Sequence, residues 1–383
     1  MSTSQVTTLT GLSAAELPAA AELAARFPLT SNPAPASDAD VDTVMGSLSF
    51  GVAFTDHMVR ARWTPARGWH EHRTESFGPL TLSPAAAVLH YGQEIFEGLK
   101  AYRHADGSVW TFRPGFNAAR FNASARRLAM PELPEEDFVA SLAALTAVDA
   151  RWVPSVPGSS LYLRPFMIAT EPFLGVRSAH ELEYLLIASP VGPYFTHGFQ
   201  PVSIWVAQDY HRVGPGGMGA AKTGGNYAAS LLPQQEAYDK GFEQVCFLDA
   251  ATGTHLEELG GMNVFVVDAD GTVRTPALTG TILEGGTRAA ILQLLRDAGR
   301  TVREETIELA TLLEEIRSGE VAETFACGTA AVITPIGRLA GEGFDVTVAD
   351  GRPGAVTTEL YTTLTDIQYG RREDPHSWMY RLV

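Results

Sequence analysis

Gly216-Gly217-Met218-Gly219-Ala220-Ala221-Lys222-Thr223-Gly224-Gly225-Asn226-Tyr227 is the stretch on which the reading of this chain turns. It holds one of only three lysines in 383 residues that also contain 25 arginines, so lysine does not serve solubility here. Small neighbours leave room for a bulky group to approach the amine, and glycines reach backbone angles that other residues avoid. A lysine amine can form a Schiff base with a carbonyl, which arginine cannot do. Lys222 is the first candidate for chemistry.

A second reading of the same loop is a phosphate-binding nucleotide loop, G-x-x-x-x-G-K-[ST], which Gly216 to Thr223 matches at all but one position. A strand-like run precedes it, and Val245 to Asp249 could serve as the magnesium-holding strand. Ala221 stands where the motif has glycine, and Gly224-Gly225 follows where it needs a helix whose first amides hold phosphate. The nucleotide reading is the weaker one.

Bulk properties narrow the class. The length suggests two domains, each able to bury its own core. A hydrophobic fraction of 45% and near-zero mean hydropathy fit a globular protein. No apolar run approaches the roughly 18 residues of a membrane helix. A formal charge of -16 argues against nucleic acid or an anionic membrane as partner. Cys246 and Cys327 form no metal-spaced motif, no metal site is expected, and a reducing cytoplasm is the simplest compartment. No basic start precedes an apolar core, so a secretory signal is not expected.

The chain divides by pattern into four stretches. Residues 1–45 read as a mobile leader, with an Ala-rich helix over 12–26 followed by a Pro, Ala and Ser-rich run. Residues 46–189 read as a small N-terminal α/β domain. It holds a hairpin over 101–112, helices over 117–130 and 136–152, and buried strands over 160–170 and 182–189. Residues 190–201 are the linker, punctuated by Pro and Gly. Residues 202–383 form the large C-terminal domain, with strands over 202–207, 244–249, 263–268 and 324–333. Helices are expected over 287–298 and 307–318. Asp268-Ala269-Asp270-Gly271 opens like a calcium loop, but the acid needed at the loop's last position is absent, so a plain turn is expected.

Beyond the lysine loop, four more blocks stand in order: Leu89 to Tyr102, Tyr162 to Pro165 with Thr170-Glu171-Pro172, Glu258 to Asn263, and Gly328-Thr329-Ala330. Together with Gly217 to Tyr227, this set resembles the branched-chain aminotransferases among the fold-type-IV pyridoxal-phosphate enzymes, over about residues 50 to 340. The resemblance implies a mixed α/β (α+β) fold of two domains, the C-terminal one barrel-like, and a homodimer. It implies pyridoxal 5'-phosphate as cofactor. The activity implied is ping-pong amino transfer from L-leucine, L-isoleucine or L-valine to 2-oxoglutarate. D-amino-acid transaminase and aminodeoxychorismate lyase are the alternatives within the fold, and a cofactor-binding protein without transaminase activity is one outside it.

The same resemblance implies roles. Lys222 takes the cofactor aldehyde and moves the substrate α-proton. Its rivals are Lys100, within a family block and read as structural, and Lys240, read as solvated. Glu258 keeps the pyridine nitrogen protonated, with adjacent Glu257 the competing choice, since neighbours on a strand face opposite ways. Arg120 and the helix opening at Gly285-Gly286-Thr287 hold the phosphate, aided by Thr329. There Glu284 and Gly286 depart from the family's Leu-Pro-Gly pattern. Tyr227 partners the phenolic oxygen. Thr329 and Ala330, in a turn between strand-like segments, offer amides to the substrate carboxylate. Phe96, Tyr162 and Met262 line an apolar pocket, and Arg164 answers the glutamate side chain. Tyr91 and the 173–176 loop approach a partner's site. Pro233 is expected to bend a helix over 227–238.

Overall fold

The computed structural model describes residues 9–194 and 198–383. The first eight residues of the expected leader, and 195–197 of the expected linker, lie outside the described residues. The rest divides into two compact units. The first comprises Leu9–Tyr194, Ala221–Gly224 and Asp366–Val383, and the second 198–220 and Gly225–Thr365. The first unit supplies strands β1 (His57–Thr64), β2 (Gly68–Ser76), β3 (Glu94–Phe96), β4 (Leu99–Arg103), β5 (Val109–Phe112), β6 (Ser160–Ala169) and β7 (Leu182–Val191). The second supplies β8 (Val202–Ala207), β9 (Gln244–Leu248), β10 (Leu256–Leu259), β11 (Asn263–Asp268), β12 (Val273–Pro276) and β13 (Val302–Glu305). It adds β14 (Val321–Gly328), β15 (Val332–Gly341) and β16 (Phe344–Thr347). The chain then returns to the first unit for β17 (Met379–Arg381).

The first unit's sheet runs β17-β5-β4-β6-β7-β1-β2, with β3 on β6, and its paired strands are antiparallel. β7 reads Leu-Glu-Tyr-Leu-Leu-Ile-Ala-Ser-Pro-Val and is buried at nearly every position, which sends it to the interior of the sheet. It pairs with β6 over ten residues without a bulge. Helices Pro114–Arg127 and Glu135–Val148 contribute Phe121, Phe138, Leu142 and Leu145 to the same core. Phe121, Phe138 and Tyr184 meet ring to ring, and the Tyr184 hydroxyl has Ser141 Oγ as its partner at 2.7 Å.

Residues 9–45 join this unit. Leu17, Leu23 and Phe27 are buried in its core, and Thr30 N–H donates to Thr74 O. The Ala and Pro-rich composition hides these apolar anchors. The helix expected over 12–26 is confined to Ala20–Ala24, after Pro18, which cannot donate a helical hydrogen bond.

The second unit's sheet runs β10-β9-β8-β15-β14-β11-β12-β13, with β16 on β15. β8 lies parallel to both β9 and β15, and β12 parallel to β13. The mixed α/β expectation holds. The turn from β11 to β12 is plain: Arg274 binds Asp268, and Asp270 accepts from Thr272 N–H. Residues 227–238 form two helices, Gly224–Ala228 and Leu231–Asp239. Pro233 therefore falls in a first turn, where its missing N–H breaks no bond and bends nothing.

Cys246 and Cys327 are free and buried, and burial pushes both thiols up to about 12. A thiol-reactive dye at pH 8 should leave the native protein unlabelled and label both cysteines after denaturation. Fast labelling of the folded protein would contradict the burial.

Candidate active site

The lysine segment 221–224 belongs to the first unit, although the chain on both sides of it belongs to the second. Strand β3 holds it. Phe96 N–H donates to Lys222 O at 3.0 Å, and the Thr223 hydroxyl donates to Glu94 O at 2.8 Å. Glu94 Oε1 accepts from Thr223 Oγ1 at 3.2 Å and from Gly224 N–H. On the other side, Lys222 N–H donates to Ser124 Oγ at 2.9 Å. The half-buried amine stands 4.6 Å from the centre of the Phe96 ring.

Arg164 shares that ring, its guanidinium 4.8 Å from the centre, and Arg164 Nη2 donates to the Tyr162 hydroxyl at 3.0 Å. Arg164 Nε is buried with no hydrogen-bond partner. A Cβ on Gly98 would overlap the Tyr162 hydroxyl, so glycine there sets where this tyrosine stands. Lys222, Phe96, Tyr162 and Arg164 thus form one cluster of two cations around two aromatic rings. The cation–π attraction is strongest where water is excluded.

Arg120 is 4% exposed and grips Glu97, itself fully buried, through Nε at 2.7 Å and Nη2 at 2.8 Å. Asn117 Nδ2 donates to the same carboxylate at 2.8 Å. Of the rival lysines, Lys240 is exposed, with its amine over the Trp205 ring. Lys100 is buried, and burial pulls its amine down to about 8. Tyr91 is exposed, and its hydroxyl donates to Leu174 O.

The second unit gathers most of the remaining expected residues. Glu258 is buried, ion-paired to Arg212 Nη2 at 2.5 Å and accepting from Leu283 N–H at 2.9 Å. Glu257 instead accepts from the Thr281 hydroxyl, and its Oε2 is buried without a partner. Burial raises the Glu257 carboxyl, opposed by the Thr281 hydroxyl and Arg212. The two acids thus have different hydrogen-bond partners, as alternation along β10 requires, while both feel the Arg212 charge.

Asn263 Nδ2 donates to Leu283 O at 3.0 Å, next to the start of helix Gly286–Asp297. Gly285 is the residue before that helix, and a Cβ there would overlap Asn263 Oδ1. Thr287 lies in the first turn and is buried, as is Glu284. Thr329 and Ala330 are half-buried in the turn between β14 and β15. That turn ends at Val332 with φ +62°, a left-handed angle that opposes a β-branched side chain. A Cβ on Gly328 would stand 3.3 Å from both Gly261 O and the Met262 side chain, and Tyr227 is half-buried beside Gly261. Among the described residues, no group of three His, Cys, Asp or Glu side chains is placed to hold a metal ion.

The profile of the amino-transferase class IV family matches residues 94–339, nearly two thirds of the chain and every block quoted above except the start of the first. The chain belongs to that family. It is 53% identical over 360 residues to the branched-chain-amino-acid aminotransferase of Mycolicibacterium smegmatis, covering 93% of this chain and 98% of that one. It is 46% identical over 333 residues to branched-chain-amino-acid transaminase 1 of Bacillus subtilis, covering 87% and 93%. Among solved structures, the Escherichia coli branched-chain amino acid aminotransferase has a TM-score of 0.71 at 26% identity, covering 84% of this chain and 99% of that one. A T.th. branched-chain amino acid aminotransferase, complexed with N-(5'-phosphopyridoxyl)-L-glutamate, has a TM-score of 0.68 at 25% identity over 84% and 98%. These likenesses carry the fold-type-IV architecture.

Membership in the class IV family leaves the phosphate-loop alternative without support. The helix after Lys222 is only five residues long, and the lysine's backbone is tied to β3 and Ser124. Sequence reasoning missed Glu94, Glu97, Ser124 and Arg212 as partners of the named residues. Glu97 and Arg120 share a stretch that a buried-charge argument could have paired. Glu94 lies 129 positions from Thr223, and no local pattern joins them.

The lowered Lys100 value has a consequence for stability. Between about 8 and the ordinary lysine range, the unfolded chain keeps a proton that the folded one releases. The stability of wild type relative to Lys100→Met should therefore rise from pH 7 to pH 9.5, by about 1–3 kcal/mol. Urea unfolding at both pH values measures it. A difference independent of pH would remove the shift.

Proposed function

We infer that this chain is a pyridoxal-phosphate-dependent transaminase that takes its amino group from L-leucine, L-isoleucine or L-valine and passes it to 2-oxoglutarate. The observation that carries this reading is the Lys222 amine above the Phe96 ring, with its backbone tied on both sides. The names of relatives at 53% identity support the substrate class.

The residues suit such a cofactor on three observations. The second unit offers a buried carboxylate, Glu258, already neutralised by Arg212 and a backbone amide. It offers a helix start approached through Gly285-Gly286, where backbone amides and the helix dipole suit an anion. The first unit offers a half-buried primary amine on a fixed backbone. When bound, pyridoxal phosphate supplies an aldehyde for amine exchange and a ring that draws electrons from the substrate α-carbon.

The protein's own residues divide the rest of the work. Lys222 Nζ would remove the α-proton and return it on the other side of the exchange, with the Phe96 ring holding the amine in place. Glu258 would hold a proton at the ring nitrogen, with Arg212 fixing the carboxylate's orientation. Gly286, Thr287 and Thr329 would donate to the phosphate, and Arg120, oriented by Glu97, is the proposed cationic partner. Tyr227 would donate to the phenolic oxygen. Amides of Thr329 and Ala330 would take the substrate carboxylate, while Phe96 and Tyr162 exclude water from a branched side chain. Arg164, whose Nε has no partner, would pair with the side-chain carboxylate of glutamate.

A homodimer in the cytoplasm is part of the same proposal. Leu89, Tyr91, Leu174 and Val176 are exposed apolar residues of the first unit, and the Tyr91 to Leu174 hydrogen bond joins the two segments that carry them. Among the described residues, no helix is long and apolar enough to cross a membrane.

Lys222→Ala should abolish transamination of L-leucine while the protein still folds, as judged by circular dichroism. Full turnover in that variant would refute the mechanism, and activity with D-alanine but not L-leucine would overturn the substrate. Arg164→Met should lower kcat/KM for L-glutamate by about 100-fold and for L-leucine by less than about threefold. Equal losses for both would show that Arg164 does not select the second substrate.

A further inference from the structure

We propose that Glu94 is a positioning residue for Lys222, its carboxylate clamping Thr223 and Gly224 and so setting where the lysine amine stands. The proposal rests on the reading of Lys222 as the residue that meets the cofactor. Strand β3 is three residues long, and both of its ends act on the lysine segment. Phe96 presents its ring to the amine and its N–H to Lys222 O. Glu94 takes the next two donors along the chain, Thr223 Oγ1 and Gly224 N–H, on the single oxygen Oε1. The one hydroxyl proton of Thr223 is shared with the Glu94 backbone carbonyl, which stands closer at 2.8 Å against 3.2 Å.

The fit leaves no slack. A Cβ on Gly224 would stand 2.5 Å from Glu94 Oε1, so glycine at 224 is what lets the carboxylate reach the backbone. Thr223 is fully buried, which makes its hydroxyl dependent on Glu94 rather than on water. Burial raises the Glu94 carboxyl, and the Gly224 N–H, the Thr223 hydroxyl and the Arg164 charge oppose that rise. Arg164 also lies over the Phe96 ring, so the clamp and the aromatic cluster share a charged neighbour. A lysine side chain is long and flexible, and fixing its backbone on both sides of the Cα sets the point and direction from which it extends. Displacements of about 1 Å in such geometry cost about 100-fold in rate.

The test uses the full-length holoenzyme and two readouts, hydrogen exchange of the amides of residues 222–224 and steady-state kinetics with L-leucine. In Glu94→Ala, exchange at 222–224 should accelerate at least about tenfold and kcat should fall at least about tenfold, with KM moving less than about threefold. Glu94→Gln keeps an oxygen acceptor and should restore both readouts to within about threefold of wild type. Thr223→Val, which preserves volume and backbone, should give the same pattern at smaller amplitude even if Glu94→Ala fails to fold. Wild-type exchange at 222–224 in Glu94→Ala, or in Thr223→Val, overturns the proposal. Equal damage in Glu94→Gln and Glu94→Ala also overturns it. Failure of the wild type to turn over L-leucine would sink the functional reading instead, while the exchange data would still decide the role of Glu94.

Discussion

The first unit depends on one buried ion pair, Arg120 with Glu97. Two charges out of water are unfavourable unless each is met by geometry that satisfies it. Here the guanidinium binds the carboxylate at two points, and Asn117 and Gly98 N–H add donors to the same group. Glu97 N–H is fixed to Pro165 O, so the pair joins helix Pro114–Arg127 to the segment that links β3 and β4. One turn later, Ser124 Oγ donates to Arg120 O and accepts from Lys222 N–H. The lysine is thus placed at the end of a chain of satisfied polar contacts that starts at Glu97. Removing either charge would leave the other buried alone, a loss of about 3–5 kcal/mol.

The second unit uses different means. Its sheet mixes parallel and antiparallel neighbours, and its groups of interest lie on strand β10, in the turn after β14, in helix Gly224–Ala228 and in the first turn of helix Gly286–Asp297. Glu258 is held by Arg212, which also donates to Gly219 O and Thr281 O. The glycines from 216 to 219 therefore do more than clear space. A Cβ on Gly219 would overlap the Thr281 carbonyl, so the approach to Lys222 lies flat against the 280–281 backbone, with Ala220 N–H donating to Gly280 O. Strain gathers at Val332, beside Thr329 and Ala330, where the turn holds a side chain in a conformation it resists.

What could be read from the sequence was local. The Asp-Gly turns at 106–107 and 270–271 marked their hairpins, and apolar runs marked β6, β7, β8 and β11 within a residue or two. The lysine stood out because small neighbours and lysine scarcity are properties of the string itself. Distant pairings left no such trace. The Glu94 clamp on Thr223, the packing of Leu23 and Phe27 into the core, and the pairing of β17 with β5 join positions far apart. Pro233 misled for a related reason: a proline is disruptive or harmless by its position within a helix, and composition did not show that a new helix begins at Leu231.

The pairing of β17 with β5 also bears on how the protein is made. Met379–Arg381 completes an edge of a sheet whose other strands all precede residue 192. On the ribosome, that sheet must wait with an open edge while the whole of 198–365 is synthesised, of which 198–220 and 225–365 form the second unit. The unit that carries the lysine is therefore the last to close, and its exposed β5 edge is the point at which a nascent chain would need shielding from other strands.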